Sequence, residues 1–301
     1  GCRGWILFIR CQTNVHHCLR TQNSIWFRWR LFLQAKCRRR DRKNPTNNQR
    51  VKFRYPLSDS LVIIPTFNEK ENVESIIRKV FSLAKPFHIL IVDDDSPDGT
   101  ADIVKRLQAT FKDNLFLLER KGKLGLGTAY IAGFRYGLER NYDYIFEMDC
   151  DFSHDPDDLI RLHHACHKGG YDMSIGSRYV TGGMVENWPW DRIALSYGAS
   201  LYVRIITWMN IKDPTAGFVC YKNEVLNTID LDKIKFIGYA FQIEMKYAVL
   251  SLGFKIKEIP ITFKDRALGT SKITKGIVQE GFMGVLKMAG KRLFSTYRKS
   301  S

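Results

Sequence analysis

The 301-residue chain has no run of eighteen uncharged apolar residues, so no segment suits a helix that crosses a bilayer. Its seven cysteines are scattered: Cys2, Cys11, Cys18 and Cys37 near the start, and only Cys150, Cys166 and Cys220 in the long remainder. That excludes a disulfide framework and makes a reducing cytosol the expected compartment. The sole Asn-x-Ser/Thr triplet, Asn44-Pro45-Thr46, is blocked by its proline. Residues Gly1 to Arg10 hold too short an apolar core, and no small-residue cleavage site, for a secretory signal. A G-x-G-x-x-G motif is missing as well. Gly122, Gly125 and Gly127 are spaced G-x-x-G-x-G after a third strand, which argues against a dinucleotide-binding dehydrogenase. Gly269-Thr-Ser-Lys272 lacks the upstream glycine of a P-loop.

Acid is scarce in one region only. Lysine and arginine number 47 against 31 aspartates and glutamates, a net charge of +16. Residues 1–57 hold 14 bases and the single acid Asp41, whereas residues 58–301 hold 33 bases and 30 acids. The basic surplus therefore belongs to an extension, not to the body. That extension mixes Trp5, Trp26 and Trp29 with arginines and follows neither helical nor strand periodicity. It reads as a disordered appendage; a basic membrane-surface or nucleic-acid-binding segment is the alternative from a different function class. Nucleic acid is accordingly not among the expected partners. The expected organisation is the extension 1–57, a folded domain 58–272, and an amphipathic C-terminal helix and tail 273–301.

From residue 60 the pattern changes. Leu61-Val-Ile-Ile64, Ile89-Leu-Ile-Val92, Leu115-Phe-Leu-Leu118 and Tyr144-Ile-Phe-Glu-Met148 are short apolar runs of buried-strand type. Between them, residues at helical spacing (Val73, Ile76, Ile77, Val80; then Ile103, Val104, Leu107; then Ala129, Phe134, Leu138) predict crossover helices. Thr100 is the expected cap of the second. This alternation predicts an α/β fold with a mostly parallel sheet.

In such sheets ligands bind beyond the carboxyl ends of the strands. The first strand ends Pro65-Thr-Phe-Asn-Glu69, the second Asp93-Asp-Asp-Ser-Pro-Asp98, and the fourth Asp149-Cys-Asp-Phe-Ser-His-Asp155. Carboxylates crowded on one rim repel one another unless a cation sits among them. Asp149 and Asp151 are spaced i, i+2, which in extended chain turns both side chains the same way. Paired carboxylates suit Mg²⁺ or Mn²⁺, which keep substrate phosphates in their shell. Asp155-Pro156 reads as a helix cap followed by proline at the first helical position.

These segments, with Lys123-Leu-Gly-Leu-Gly-Thr-Ala-Tyr130, Ile175-Gly-Ser-Arg-Tyr-Val-Thr-Gly-Gly183, Gly238-Tyr-Ala-Phe-Gln-Ile-Glu244, Asp265-Arg266 and Gly269-Thr-Ser-Lys272, resemble the motifs of polyprenol-phosphate (dolichol-phosphate) mannosyltransferases of glycosyltransferase family 2. The resemblance runs unbroken from residue 60 to about 275. It implies the GT-A fold, a Rossmann-like sheet flanked by helices, and inverting transfer of mannose from GDP-mannose to a polyprenyl or dolichyl phosphate. It assigns Pro65, Phe67, Glu69, Val92 and Asp94 to the guanine nucleotide. Asp149, Cys150 and Asp151 fall in the diphosphate and metal segment, with Ser153 as a further metal ligand. Arg178 falls between donor and acceptor phosphates, Arg192 and Ser196 at the lipid phosphate, and Arg266 and Lys272 on a loop over the donor diphosphate. Asp151 and Arg178 carry the catalytic roles. Phe67 stands where tyrosine is usual and Cys150 where alanine is usual.

The chemistry agrees. A phosphate monoester has a second pKa of about 6, so the acceptor brings an ionised nucleophile and needs no protein base. No Gln-x-x-Arg-Trp, a pattern of relatives that glycosylate sugar hydroxyls, is present. The Asp-x-Asp core names neither base nor sugar, and a UDP-glucose-dependent polyprenyl-phosphate glucosyltransferase is the alternative. Ile193 to Met209 reads equally as a membrane-facing helix or a core helix. Ile273 to Phe294 reads as a basic amphipathic anchor or a dock for a small membrane-anchoring subunit, with a helix packed on the catalytic domain as the alternative. The expected location is peripheral, on the cytoplasmic face of a membrane. His163, His164 and His167 read as polar surface histidines of a helix rather than, with Cys166, as zinc ligands.

Overall fold

A computed structural model of the chain describes residues 58–238, 240–265, 284–286 and 297–299. The extension, the 273–294 helix except residues 284–286, and both Arg266 and Lys272 lie outside the described residues.

Four strand–helix units come first: β1 (Ser60–Thr66), α1 (Val73–Phe81), β2 (His88–Asp93), α2 (Thr100–Phe111), β3 (Leu115–Glu119), α3 (Leu126–Glu139) and β4 (Tyr144–Glu147), followed by α4 (Asp158–His167). Then come β5 (Met173–Ser177), the short β6 (Met184–Glu186), α5 (Trp190–Thr207), β7 (Val219–Lys222), α6 (Asn223–Thr228), α7 (Ala240–Ser251), β8 (Ile256–Pro260) and β9 (Thr262–Lys264). The main sheet has the order β3-β2-β1-β4-β7-β5-β8, and β6 pairs with β9 beside it. Every pairing in the main sheet is parallel except those of β7, which runs antiparallel to both β4 and β5.

Strand alternation splits the core in two. Leu61, Ile63, Leu90 and Val92 face one layer with Tyr130 and Phe134 of α3 and Phe241 of α7. Val62, Ile64, Ile89 and Ile91 face the other with Val73, Ile76, Ile77 and Val80 of α1, Val104 of α2 and Leu159 of α4. Both faces are covered, which is why the strands read as unbroken apolar runs. At Gly127 the helix lies against its neighbour with no room for a side chain: a Cβ there would come within 2.8 Å of the Phe236 carbonyl oxygen and the Phe241 ring.

Two helix starts differ from expectation. Thr100 is the first helical residue rather than the cap; Asp98 takes the capping role, accepting from the Thr100 N–H at 3.0 Å and its hydroxyl at 2.6 Å. At α4, Asp155 and Pro156 form a turn, with Asp155 Oδ1 accepting from Asp157 N at 3.0 Å, and the helix begins at Asp158. His163 is buried, not at the surface: it lies edge-on to Tyr144, 4.5 Å between ring centroids, and beside Asp59.

Candidate active site

The loops after β1 and β2 are stitched together. Asn68 N donates to Ser96 Oγ, Glu69 N to Thr100 Oγ1 and Lys70 N to Asp98 Oδ2, all at 3.0–3.1 Å. Asn68 and Asp95 take left-handed backbone with φ of 55° and 59°, which asparagine and aspartate tolerate. Pro65, Phe67 and Glu69 are partly buried here and Val92 is fully buried. Lys123 places its ammonium 4.7 Å above the Phe67 ring.

Asp94 is buried and committed to the loop before α3. Its Oδ1 accepts from Arg120 Nε at 2.7 Å and its Oδ2 from Leu124 N at 3.1 Å. Arg120 also reaches Thr128 Oγ1 at 2.8 Å and Gly125 O at 3.2 Å. Asp94 therefore shapes the glycine-rich turn, a role its motif does not announce.

Past β4 the two aspartates part company. Phe152 adopts a φ of 60°, so the chain from Asp149 to Ser153 turns instead of continuing as a strand. Asp151 is buried, accepting from Ser153 N at 3.0 Å, while the Asp149 side chain is 38% exposed. Cys150 between them packs into the apolar layer with Phe146 and Met148. Ser153 and His154 are buried beside them. Burial pushes the His154 imidazole down to about 4, the Asp151 charge opposing that shift and Arg178 reinforcing it. Among the described residues no three His, Cys, Asp or Glu side chains converge. Asp149, open to solvent, and Asp151, buried two residues on, are nevertheless hard oxygen donors of the kind that fits Mg²⁺ or Mn²⁺, whose remaining positions go to water and phosphate oxygens.

Arg178 follows β5 and is fixed by Asp213. Its backbone N, Nε and Nη2 donate to the Asp213 carboxylate at 3.0, 2.8 and 2.7 Å, and Nη2 also to Thr215 Oγ1 at 2.9 Å. The Asp213 side chain is fully buried; burial alone would raise its pKa, but the Arg178 charge and hydrogen bonds win and hold it low. Tyr179, Trp188 and Phe263 ring the guanidinium at 5.1, 5.9 and 5.4 Å. Sequence reasoning missed Asp213. The only signal is its turn-forming context, Asp213-Pro-Thr-Ala-Gly217, and nothing there points to an arginine 35 positions earlier.

Arg192 and Ser196, one turn apart on α5, join this group. Arg192 stacks on Trp188 at 3.9 Å and its Nη1 donates to Asp265 Oδ1 and Oδ2 at 3.0 and 3.1 Å. Ser196 Oγ accepts from Tyr179 OH at 2.7 Å. Behind the site, Lys246 Nζ donates to Ala216 O at 2.6 Å, and Gln242 Nε2 to Glu147 Oε2 at 2.6 Å. Burial pushes Glu147 up to about 7 and Lys246 down to about 8. This network, by way of the Lys246–Gln242 contacts at 3.1–3.2 Å, ties the loop that holds Arg178 to the strand that leads to Asp149.

The sequence from 61 to 230 matches the family model of glycosyl transferase family 2. The chain belongs to that family. Its family relatives include a polyprenol monophosphomannose synthase of Mycolicibacterium smegmatis, 45% identical over 230 residues, covering 76% of this chain and 86% of that one. An undecaprenyl-phosphate mannosyltransferase of Micrococcus luteus is 45% identical over 227 residues, covering 75% and 92%. A dolichol-phosphate mannosyltransferase of Pyrococcus furiosus is 38% identical over 216 residues, covering 70% of this chain and 58% of that protein. Among solved structures, a glucosyl-3-phosphoglycerate synthase of Mycobacterium tuberculosis with Mn²⁺, UDP and glucosyl-3-phosphoglycerate superposes with a TM-score of 0.57 at 16% identity, over 77% of this chain and 80% of that one. The family's GT-A fold is thus present here, with β7 as its one reversed strand.

Proposed function

We propose that this glycosyltransferase moves mannose, with inversion, from GDP-mannose to a polyprenyl phosphate such as dolichyl phosphate, working on the cytoplasmic face of a membrane. The observation that carries this reading is the make-up of α5. Arg192 and Ser196 sit on the helix near Arg178, while Trp190, Leu195, Leu201, Ile205 and Trp208 at its end stand 43–81% exposed. An acceptor that is anionic at one end and greasy at the other uses both features; a water-soluble sugar uses neither. Scattered exposed apolar residues are ordinary, but this many on one helix mark a contact surface. The names of the mannosyltransferase relatives support the same reading. The apolar face rests on the lipid surface in this account, since no helix among the described residues is long and apolar enough to cross it.

Asp149 and Asp151, with Ser153 beside them, would hold Mg²⁺ or Mn²⁺. When bound, that cation neutralises charge on the leaving diphosphate. The acidic rim alone would repel a diphosphate, so a cation is what makes its carboxylates useful. The rest falls to this chain's own side chains. Arg178, held in place by Asp213, presents a preorganised guanidinium, which costs no reorganisation as charge develops. Arg192 and Ser196 grip the acceptor phosphate by charge-assisted and hydroxyl hydrogen bonds and align its oxygen for attack. Arg266 and Lys272 remain assigned to the donor diphosphate by resemblance.

Incubating the full chain with labelled GDP-mannose or UDP-glucose, Mn²⁺ and polyprenyl phosphate tests this. Label is expected in the lipid phase from GDP-mannose. Lipid-linked label from UDP-glucose alone would replace mannose with glucose, and none from either donor would overturn the assignment.

A further inference from the structure

A ring nitrogen shut away from water without a partner costs about 1–3 kcal/mol, and proteins rarely leave one so. His154 Nδ1 is such an atom, on a side chain only 3% exposed. The ring is not free to turn toward a partner. It stacks on Phe218, with centroids 4.9 Å apart and planes 16° from parallel, and meets the edge of Phe263 at 5.3 Å and 76°. Nδ1 faces Asp149 Oδ2 at 3.8 Å, beyond hydrogen-bond reach. Of the two groups, the carboxylate is the more open, 38% exposed just past the end of β4. A shift of about 1 Å would bring the pair to the usual hydrogen-bond distance.

Asp149 has a reason to make that shift when it holds a cation. A carboxylate that turns one oxygen to a metal is oriented by the donors that hold its second oxygen. We infer that His154 is a positioning residue of the cation site: its Nδ1–H donates to Asp149 Oδ2 and so fixes which oxygen of Asp149 faces the metal. The inference rests on the metal-dependent reading above and goes beyond it by giving the Asp149 carboxylate a named support. It also sets the tautomer, with the proton on Nδ1 and Nε2 left as an acceptor.

Mn²⁺ binding to the full-length chain, followed by electron paramagnetic resonance with and without GDP, tests this without recourse to turnover. His154→Ala and His154→Leu are expected to weaken Mn²⁺ binding about ten- to hundredfold. His154→Asn, whose amide nitrogen can stand where Nδ1 stands, is expected to stay within about threefold of wild type, because it keeps the supporting donor. Unchanged affinity in His154→Ala, with wild type binding normally, overturns the inference. Equal losses in His154→Ala and His154→Asn at unchanged melting temperature also overturn it, because they assign the effect to ring packing. So does a ¹⁵N hyperfine coupling that puts His154 on the Mn²⁺ itself. Failure of wild type to bind Mn²⁺ with or without nucleotide would instead remove the metal reading on which all of this stands.

Discussion

Asp151 and Asp213 are both buried carboxylates at the rim, and they differ in what they serve. With Asp151 proposed at the cation edge, Asp151→Ala is expected to lower turnover by about a hundredfold or more, measured at saturating donor and acceptor. An unchanged rate would remove the metal role. Asp213 serves Arg178, accepting three of its hydrogen bonds. Replacing it leaves a largely buried guanidinium without its counter-charge, which is costlier than losing an exposed ion pair. Asp213→Asn should therefore destabilise the fold by about 3 kcal/mol or more in urea unfolding and depress kcat more than the donor KM. A variant as stable and active as wild type would show that Arg178 is held by other means. The contrast explains what could be read from sequence. Asp149 and Asp151 announce themselves because both lie at the end of one apolar run, where strand physics places them on the rim. Asp213 and His154 are placed by the fold: one reaches an arginine at the end of another strand, the other is set between two aromatic walls brought from the residue before β7 and from β9.

At the scale of elements, the first four strands and three helices were legible because each is an apolar run or a helical stripe in its own right. The position of β7 was not. Its own residues fix a strand, but nothing local says that it inserts between β4 and β5 with reversed direction. Helix α5 was ambiguous for a related reason, since apolar residues on most of its sides fit burial and lipid contact equally. The structure divides them: Ser200, Val203 and Thr207 face inward, while Leu201, Ile205 and Trp208 face out. Replacing Ile205 and Trp208 together by glutamate should cut binding to liposomes at least tenfold in a flotation assay, since two buried apolar side chains contribute roughly 1.5–3 kcal/mol each. Melting temperature should hold, because neither side chain belongs to the core. Undiminished flotation would move the membrane contact elsewhere.

The molecule as a whole is expected to be acid-sensitive. Burial pushes His163 down to about 4 and also lowers His88. Each is neutral when folded yet takes a proton near 6.5 when unfolded, so the unfolded chain binds more protons between those values. The His163 contribution is thus fully present above pH 6.5 and is lost as pH falls toward 4, and that of His88 has the same sign. His163→Phe should flatten the stability–pH slope in that window by about 1.4 kcal/mol per pH unit, followed by denaturant unfolding. An unaltered slope would place the titration elsewhere. The reversed strand has a further consequence, for the order of assembly. β1 to β4 pair among themselves, β4 lying on β1, whereas β5 cannot join them until β7, made some forty residues later, has docked on β4. Pulse-labelled hydrogen exchange during refolding should find the amides of β1 and β2 protected before those of β5; simultaneous protection would contradict it. A nascent chain would then have its first two strand-end loops in place while Arg178, the proposed catalytic arginine, still waits unseated for Asp213 and the strand behind it.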